Sequence, residues 1–244
     1  MDTEQYSTNT RAFLGKGSYG SVFKGRDKLN NIPVAIKKIE DADHLNKSTM
    51  HEIESLMVVD HENILKLYDT FLHEDSWWLV LELCDQNLAK FLKESKPNLE
   101  TKLSIMSQSA LGISYLHNLK KPIVHRDLKL ENILLKSTSD GQKIVKICDF
   151  GFSKIISSVD QPLASDIGTY MFRAPELSHK IDGKFQYTAT IDTFALGLVF
   201  KIVLDYGLEG ESLEPQIGKG GRHQYLNWIS RNHFTCYKLD FSKM

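Results

Sequence analysis

Hydrophobic residues lie in short runs in the first third of the chain and recur at helical spacing in most of the remainder. Between residues 11 and 83 the runs are rich in β-branched and aromatic residues and are separated by turn residues, a pattern that predicts β-strands. The clearest of these runs lie at residues 21–23, 34–36 and 77–81. Residues 47–58 instead carry apolar side chains on one helical face, which predicts a single helix within the strand-rich part.

The chain after residue 83 predicts helices. A long amphipathic helix is expected to end near His117, because apolar residues recur before it at steps of three and four. Its predicted buried face consists of Leu103, Met106, Ala110, Ile113 and Leu116. Residues 194–204 are apolar except for Lys201 and predict a helix that is buried on nearly all sides. This run is shorter than the roughly 18 residues that a membrane span requires, so we expect no membrane insertion.

The change from strand patterns to helix patterns near residues 82–87 predicts a hinge between two lobes. We expect an α+β fold in which residues 11–83 form a small, sheet-rich lobe and residues 84–204 form a larger, mainly helical lobe. Residues 1–10 are expected to be an N-terminal extension. Residues 205–244 show no pattern that places them.

Composition adds few constraints. The 244-residue chain has a net charge of −1, so its overall charge predicts binding to neither nucleic acid nor a membrane surface. Three cysteines stand far apart without metal-ligand spacing, which indicates reduced thiols: Cys84, Cys148 and Cys236. The N-terminus is polar and has no apolar signal core. The expected location is therefore intracellular, either cytoplasmic or nuclear.

Two motifs carry the chemistry. The first is the octapeptide His125-Arg126-Asp127-Leu128-Lys129-Leu130-Glu131-Asn132, and the second is Asp149-Phe150-Gly151. Between them, two short apolar runs flank Ser139-Asp140-Gly141, which predicts a hairpin that links the motifs rigidly. The pair places one carboxylate that can hold a hydroxyl beside two groups that can hold Mg²⁺. This combination is typical of phosphoryl transfer.

These motifs resemble those of the eukaryotic protein kinase family, which implies the bilobal protein-kinase fold and the use of ATP and Mg²⁺. By this resemblance, Asp127 would orient the hydroxyl of the substrate, and Lys129 would balance charge on the transferred phosphoryl group. Asn132 and Asp149 would bind Mg²⁺. His125 would be a packing residue rather than a general base.

A glycine-rich segment precedes these motifs, Gly15-Lys16-Gly17-Ser18-Tyr19-Gly20-Ser21-Val22. On its own it fits a plain turn or a dinucleotide-binding fingerprint as well as a kinase loop. The residues that follow it predict a returning strand rather than a helix, which favours the kinase form. The resemblance implies an ATP-binding set made of this segment together with Leu14, Ala35, Lys37, Glu82, Leu83 and Leu134.

Lys37 ends an apolar strand run and would neutralise the α- and β-phosphates. The resemblance pairs it with Glu52 on the following helix, and both residues are predicted to be catalytic. An alternative remains open, because Thr49 and Glu52 also have the spacing of a capping box that would use Glu52 to cap its own helix.

Residues 152–173 resemble an activation segment that ends in Ala174-Pro175-Glu176. We expect an upstream kinase to phosphorylate Ser165 and the phosphate to pair with Arg126, which would order this segment. A solvated, serine-rich loop is the alternative. Asp192 resembles the family's structural aspartate, which binds the backbone of the catalytic loop.

Lys129 and Thr169 together imply a protein substrate with a serine or threonine acceptor. The resemblance covers about residues 11–204 and is followed by a divergent or truncated end. The sequence therefore leaves two functions open. The first is an active protein serine/threonine kinase, and the second is a truncated, catalytically weak ATP-binding scaffold or regulatory module.

Overall fold

A computed structural model describes residues 1–17, 20–39, 47–165, 168–178 and 186–206. The predicted nucleotide-binding residues Ser18 and Tyr19 lie outside the described residues, as does nearly all of the predicted divergent end. Contacts divide the chain into two units, residues 1–204 and 205–244. The strands and helices named below all begin within the first unit.

The strand-rich part forms one antiparallel sheet of five strands in the order β1-β2-β3-β5-β4. The strands are β1 Tyr6–Gly17, β2 Gly20–Asp27, β3 Ile32–Ile39, β4 Leu67–His73 and β5 Ser76–Glu82. The predicted helix is α1, Lys47–Met57. The first strand pairs Tyr6 with Asp27, so the sheet begins five residues before the predicted start of the small lobe. The extension predicted at residues 1–10 is therefore partly a strand.

The two faces of this sheet have different neighbours, because side chains alternate along each strand. Val34 and Ile36 lie on one face, in a buried cluster with Tyr6, Trp78 and Val80 that Met1 and Phe71 also contact. Ala35 and Lys37 lie on the other face of the sheet, where they pair with Leu81 and Leu79 of β5. Alternation therefore places Lys37 on the face away from the cluster around Trp78.

The larger lobe contains three described helices, α2 Leu88–Glu94, α3 Leu99–His117 and α4 Thr190–Asp205. Asn87 and Asn98 cap the first two of these, since each side chain accepts from a backbone N–H of the first turn. Short strands complete the lobe: β6 Gln86–Asn87, β7 Ile123–Val124, β8 Ile133–Ser137, β9 Lys143–Ile147 and β10 Lys154–Ile155. The two-lobed α+β architecture predicted from the sequence is confirmed.

The buried face of α3 agrees with the predicted one except at Leu103. Leu103 is 50% exposed, and the buried residues are Lys102, Ile105, Ser109, Ala110, Gly112, Ile113 and Leu116. Small residues are needed on this face because β9 approaches closely: a Cβ on Gly112 would lie 2.7 Å from Ile147 Cδ1. Lys102 is buried because its ammonium donates to the Leu204 carbonyl oxygen at 3.0 Å. Apolar spacing therefore identified Ala110, Ile113 and Leu116 correctly and was wrong at Leu103.

The helix predicted at residues 194–204 is α4, and most of its residues are buried or half-buried. Among the described residues, no helix has both the length and the apolar character needed to cross a membrane. The predicted hairpin is also present as β8 and β9, with Ile133 opposite Ile147.

The loop after α1 ties the two lobes together. Ile147 donates its backbone N–H to the Asn63 carbonyl oxygen, and Leu65 donates to the Ile147 carbonyl oxygen, both at 2.9 Å. The Asn63 side chain adds a bond to the Val145 carbonyl oxygen at 3.2 Å. The strand that leads into the second motif is thus anchored to the small lobe.

Candidate active site

Lys37 and Glu52 form a buried ion pair. The Lys37 ammonium lies 2.7 Å from Glu52 Oε1 and 2.6 Å from Oε2, and both residues are at most 5% exposed. Burial alone would lower the pKa of Lys37, but the attraction of Glu52 and Asp149 outweighs it and raises the pKa above its ordinary value. The helix begins at Lys47, so Thr49 lies inside it. The capping-box alternative is therefore wrong.

Asp127 lies at the centre of a dense set of hydrogen bonds. Its Oδ2 accepts from the Lys129 ammonium at 2.8 Å and from Asn132 Nδ2 at 3.1 Å. Its Oδ1 accepts from both the backbone N–H and the hydroxyl of Thr169, each at 2.7 Å. Lys129 also donates to the Thr169 hydroxyl oxygen at 3.0 Å. The sequence singled out Thr169 as a mark of substrate type, but not as a direct partner of Asp127.

The second motif lies beside the first. Cys148 donates its backbone N–H to the Asn132 carbonyl oxygen at 3.0 Å, which brings Asp149 next to the first motif. Asp149 has left-handed backbone geometry, with φ of 66°. Its Oδ1 is buried and accepts no hydrogen bond from the described residues.

Such an orphaned carboxylate oxygen fits a hard cation. Asn132 turns its amide nitrogen towards Asp127, which directs its amide oxygen away from that residue. Two oxygens from side chains, completed by phosphate oxygens and water, are a typical protein contribution to a Mg²⁺ site. The residues present therefore fit the metal that the fold implies.

His125 and Asp192 support the first motif from behind. The His125 ring is fully buried, packs against Phe150 and bonds the Cys148 carbonyl oxygen at 3.0 Å. Asp192 accepts from the backbone N–H groups of His125 and Arg126 at 2.7 and 2.8 Å. Burial raises the pKa of the Asp192 carboxyl, but its hydrogen bond to His117 and the adjacent N–H groups outweigh burial and lower it. The predicted structural contact of Asp192 with the catalytic loop is thus present.

Two glycines of the glycine-rich segment have different surroundings. A Cβ on Gly20 would lie 2.0 Å from the Lys38 carbonyl oxygen, so packing against β3 requires glycine there. A Cβ on Gly15 would meet no atom within 4 Å. Packing therefore does not account for Gly15, whereas a ligand above the strand would. The returning strand predicted after this segment is β2, with Val22 opposite Lys37.

Lys16 and Ser21 pair with each other and Ser21 pairs with Lys38, so both lie on the side of the sheet away from Lys37, whereas Ala35 shares the face of Lys37. Ala35 is buried there, and Leu134 is half-buried on β8. Leu14 and Lys16 are exposed on β1, whereas Ser21 is half-buried on β2.

Glu82 has partners that the sequence did not predict. Its carboxylate binds the Lys136 ammonium at 2.7 Å and the Lys146 ammonium at 2.9 Å. Its backbone N–H donates to the Lys66 carbonyl oxygen at 2.9 Å. The predicted contact with adenine must therefore use the carbonyl of Glu82 and the backbone of Leu83.

Arg126 binds the start of the predicted activation segment. Its guanidinium donates to the Phe152 carbonyl oxygen at 2.6 Å, the Ser153 carbonyl oxygen at 3.2 Å and the Tyr187 hydroxyl at 3.3 Å. Ser165 is half-buried. Its phosphorylation and its pairing with Arg126 stay predictions.

Comparisons with known proteins agree with this geometry. A family model described as "Protein kinase domain" matches residues 8–211. Human "Cyclin-dependent kinase-like 4" is 36% identical over 200 residues, which cover 79% of this chain and 50% of the relative. Rat "Cyclin-dependent kinase-like 2" is 34% identical over 236 residues, which cover 92% of this chain and 44% of the relative. "Cyclin-dependent kinase E-1" of Arabidopsis thaliana is 33% identical over 205 residues, which cover 78% of this chain and 43% of the relative.

These matches set the extent of the similarity. The chain spans about half the length of the curated relatives it matches. The family model begins three residues before, and ends seven residues after, the similarity predicted at residues 11–204. The match to the rat relative also includes part of residues 205–244, because the 8% of the chain that it leaves out is shorter than that segment. The divergent or truncated end predicted for residues 205–244 stays a prediction.

Proposed function

Because the chain belongs to the protein kinase family, we propose that it transfers the γ-phosphate of ATP to a serine or threonine hydroxyl of a protein substrate. The main support is the set of contacts around Asp127. A buried carboxylate is held by Lys129, Asn132 and Thr169, and Asp149 lies beside it with an unpartnered oxygen. These are the groups that phosphoryl transfer to a hydroxyl requires.

In the proposed mechanism each group acts at a stated position. Asp127 orients the acceptor hydroxyl and takes its proton as the oxygen attacks phosphorus in line with the leaving group. Lys129 lies within reach of the same carboxylate and offsets charge on the transferred phosphoryl group. Lys37, held by Glu52, contacts the α- and β-phosphates.

Asn132 and Asp149 would hold the divalent metal, which is expected to be Mg²⁺. When bound with ATP, this metal supplies positive charge that offsets the charge on the β- and γ-phosphates. The two residues differ in their preparation for that role. Asn132 is oriented by its bonds to Asp127, whereas Asp149 is placed by β9 and the turn that follows it.

The acceptor type is inferred from Lys129 and Thr169. The Lys129 ammonium bonds both Asp127 and the Thr169 hydroxyl, so the two residues that marked a serine or threonine acceptor in the sequence meet at the carboxylate. We infer an intracellular location, cytoplasmic or nuclear, since Cys84 and Cys148 are free thiols.

Regulation by an upstream kinase acting on Ser165 is part of the proposal. Arg126 has five N–H donors, and the three contacts given above use three of them. The described residues therefore engage three of the five donors, and the other two can meet a phosphate. Chemical capacity for the proposed pairing exists even while Arg126 holds the start of the segment.

The activity is tested with purified protein, radiolabelled ATP, Mg²⁺ and a mixture of serine, threonine and tyrosine peptides. We expect label on serine or threonine, and its loss in Asp127→Asn. Asp75→Asn, in the exposed β4–β5 turn, is the matched control and should keep full activity. If the wild type matches Asp127→Asn but ATP still raises its melting temperature, the ATP-binding scaffold is the better description.

A further inference from the structure

A buried hydrogen bond joins α1 to the segment after the second motif. The hydroxyl oxygens of Ser55 and Ser153 lie 2.7 Å apart. Ser55 is 1% exposed and Ser153 is 0% exposed. Each hydroxyl is therefore shielded from water and, within the described part of the chain, is partnered by the other across 98 residues of sequence.

Ser55 shares a helical face with Glu52, because residues three apart in a helix lie side by side. Two contacts therefore define the rotation of α1 about its axis. Glu52 binds Lys37 of the sheet, and Ser55 binds the segment after Asp149. Without the second contact, the buried Ile53 and Leu56 still pack α1 against the lobe, but one polar restraint on its rotation is lost.

Ser153 is itself held at a fixed distance from Asp149. The turn Phe150–Phe152 lies between them, and the Ser153 N–H donates to the Phe150 carbonyl oxygen at 2.9 Å. The Ser153 carbonyl oxygen accepts from Arg126 of the first motif. Ser153 thus connects α1, through its side chain, to the catalytic loop, through its backbone.

We propose that Ser55 and Ser153 are positioning residues that keep Glu52 turned towards Lys37 while Asp149 lies beside Asn132. The hydroxyl pair couples the position of α1 to that of the second motif, so that this arrangement persists without a phosphate on the activation segment. The proposal rests on the proposed kinase activity. A purely structural alternative holds that the two serines only satisfy each other in the core.

The positioning role and the purely structural role predict different activities for the double variant Ser55→Ala/Ser153→Ala. Each single alanine variant leaves a buried hydroxyl without a partner and should lose both stability and activity. The double variant removes both hydroxyls, so its stability should return close to that of the wild type. If the pair positions α1, kcat nevertheless stays about tenfold low in the double variant, because the restraint is still missing.

Binding of ATP provides the second readout. Neither serine contacts the predicted adenine or metal groups directly, so in the double variant kcat should fall by a larger factor than the affinity for ATP. Ser109→Ala is the matched control, since Ser109 is equally buried but donates only to the Ile105 carbonyl oxygen of its own helix. Its kcat should equal that of the wild type. Recovery of kcat together with stability in the double variant would overturn the proposal.

Hydrogen–deuterium exchange separates this proposal from the proposed function. The amides of α1 should exchange faster in Ser55→Ala/Ser153→Ala than in the wild type, whereas those of α3 should not. This result does not require phosphorylation of any substrate. If the wild type shows no kinase activity but α1 exchanges faster in the double variant, the proposed function is wrong and the coupling between α1 and the second motif stands. If the α1 amides exchange at the same rate in the double variant as in the wild type, the coupling is wrong, whether or not the protein is an active kinase.

Discussion

The Thr169 hydroxyl donates to Asp127 Oδ1 at 2.7 Å, and the Thr169 backbone N–H donates to the same oxygen at the same distance. The predicted proton acceptor is therefore engaged by a residue 42 positions later in the chain. Only 1% of the Asp127 side chain is exposed, so an acceptor hydroxyl must enter beside Thr169. Thr169 is thereby placed to help define the acceptor position.

Replacing Thr169 should lower activity more than stability. Thr169→Val removes the hydroxyl that bonds Asp127 and Lys129, and hydrogen bonds to charged groups contribute about 1.5–3 kcal/mol each. We expect kcat/KM to fall about 10- to 100-fold, and Thr169→Ser to retain most of it. Steady-state kinetics with urea unfolding as the companion measurement would check this. Equal activity of the valine and serine variants would contradict it.

The Lys37 and Glu52 pair should show strong non-additivity. Lys37→Met leaves the buried Glu52 carboxylate without its partner, which costs roughly 3–5 kcal/mol of folding stability. In Lys37→Met/Glu52→Leu no buried charge is left alone, so much of that stability should return, while kinase activity stays abolished. Urea unfolding of the single and double variants measures the coupling. Additive losses would show that the pair is not coupled.

Asp149 should matter to the liganded protein more than to the free one. Its Oδ1 accepts no hydrogen bond from the described residues, so Asp149→Asn should change the stability of the free protein by less than about 1 kcal/mol. ATP and Mg²⁺ at about 100 times their dissociation constant should stabilise the wild type by about 2.7 kcal/mol. This gain should be lost in the variant and after chelation of Mg²⁺. Thermal unfolding with and without EDTA provides the measurement.

Asp192 predicts the acid side of the stability profile. Its pKa in the folded protein lies below the ordinary value of 3.8, so the unfolded chain binds its proton first as the pH falls. The stability that Asp192 contributes is complete above the ordinary value and is lost as the pH falls through the lower, folded-state pKa. Asp192→Asn should be less stable than the wild type at pH 7, with a shallower decline below about pH 5. An unchanged decline in chemical unfolding experiments would contradict this.

Ser165 provides the test of regulation. We expect Ser165→Ala to remain at basal activity after treatment with an activating kinase or a cell extract, whereas the wild type gains phosphate and activity. Ser157→Ala is a suitable control, because this exposed serine lies in the same segment and binds Gln161. Mass spectrometry identifies the modified residue. Equal activation of the Ser165→Ala variant would exclude the proposed site.

Local sequence was sufficient to name most of the candidate site. The first motif bends through the turn Leu130–Asn132, and the hairpin of β8 and β9 carries the chain directly to Asp149. Both features have short-range causes, namely turn residues and strand pairing between neighbours. Lys37 was also predictable, because alternation along β3 fixes the face on which it lies.

Other contacts depended on segments that are distant in sequence. Spacing placed Leu103 in the core, but Leu103 is 50% exposed, whereas Gly112 lies on the helix face that packs against β9. The Thr49 and Glu52 spacing allowed a cap, but the start of α1 and the position of Lys37 made Glu52 an ion-pair partner. In both cases packing against another element outweighed the local preference.

The sequence by itself determined the family, the two-lobed fold and the residues proposed for phosphoryl transfer. Contiguous motifs and regular spacing of hydrophobic residues are sufficient to identify all three. Tertiary structure alone decided the partners of Thr169, Ser55 and Glu82. Each of these partners comes from a segment that only folding brings near, and a buried polar group must bond whatever acceptor or donor lies there. The sequence therefore names the groups, and the packed lobes decide what each of them touches.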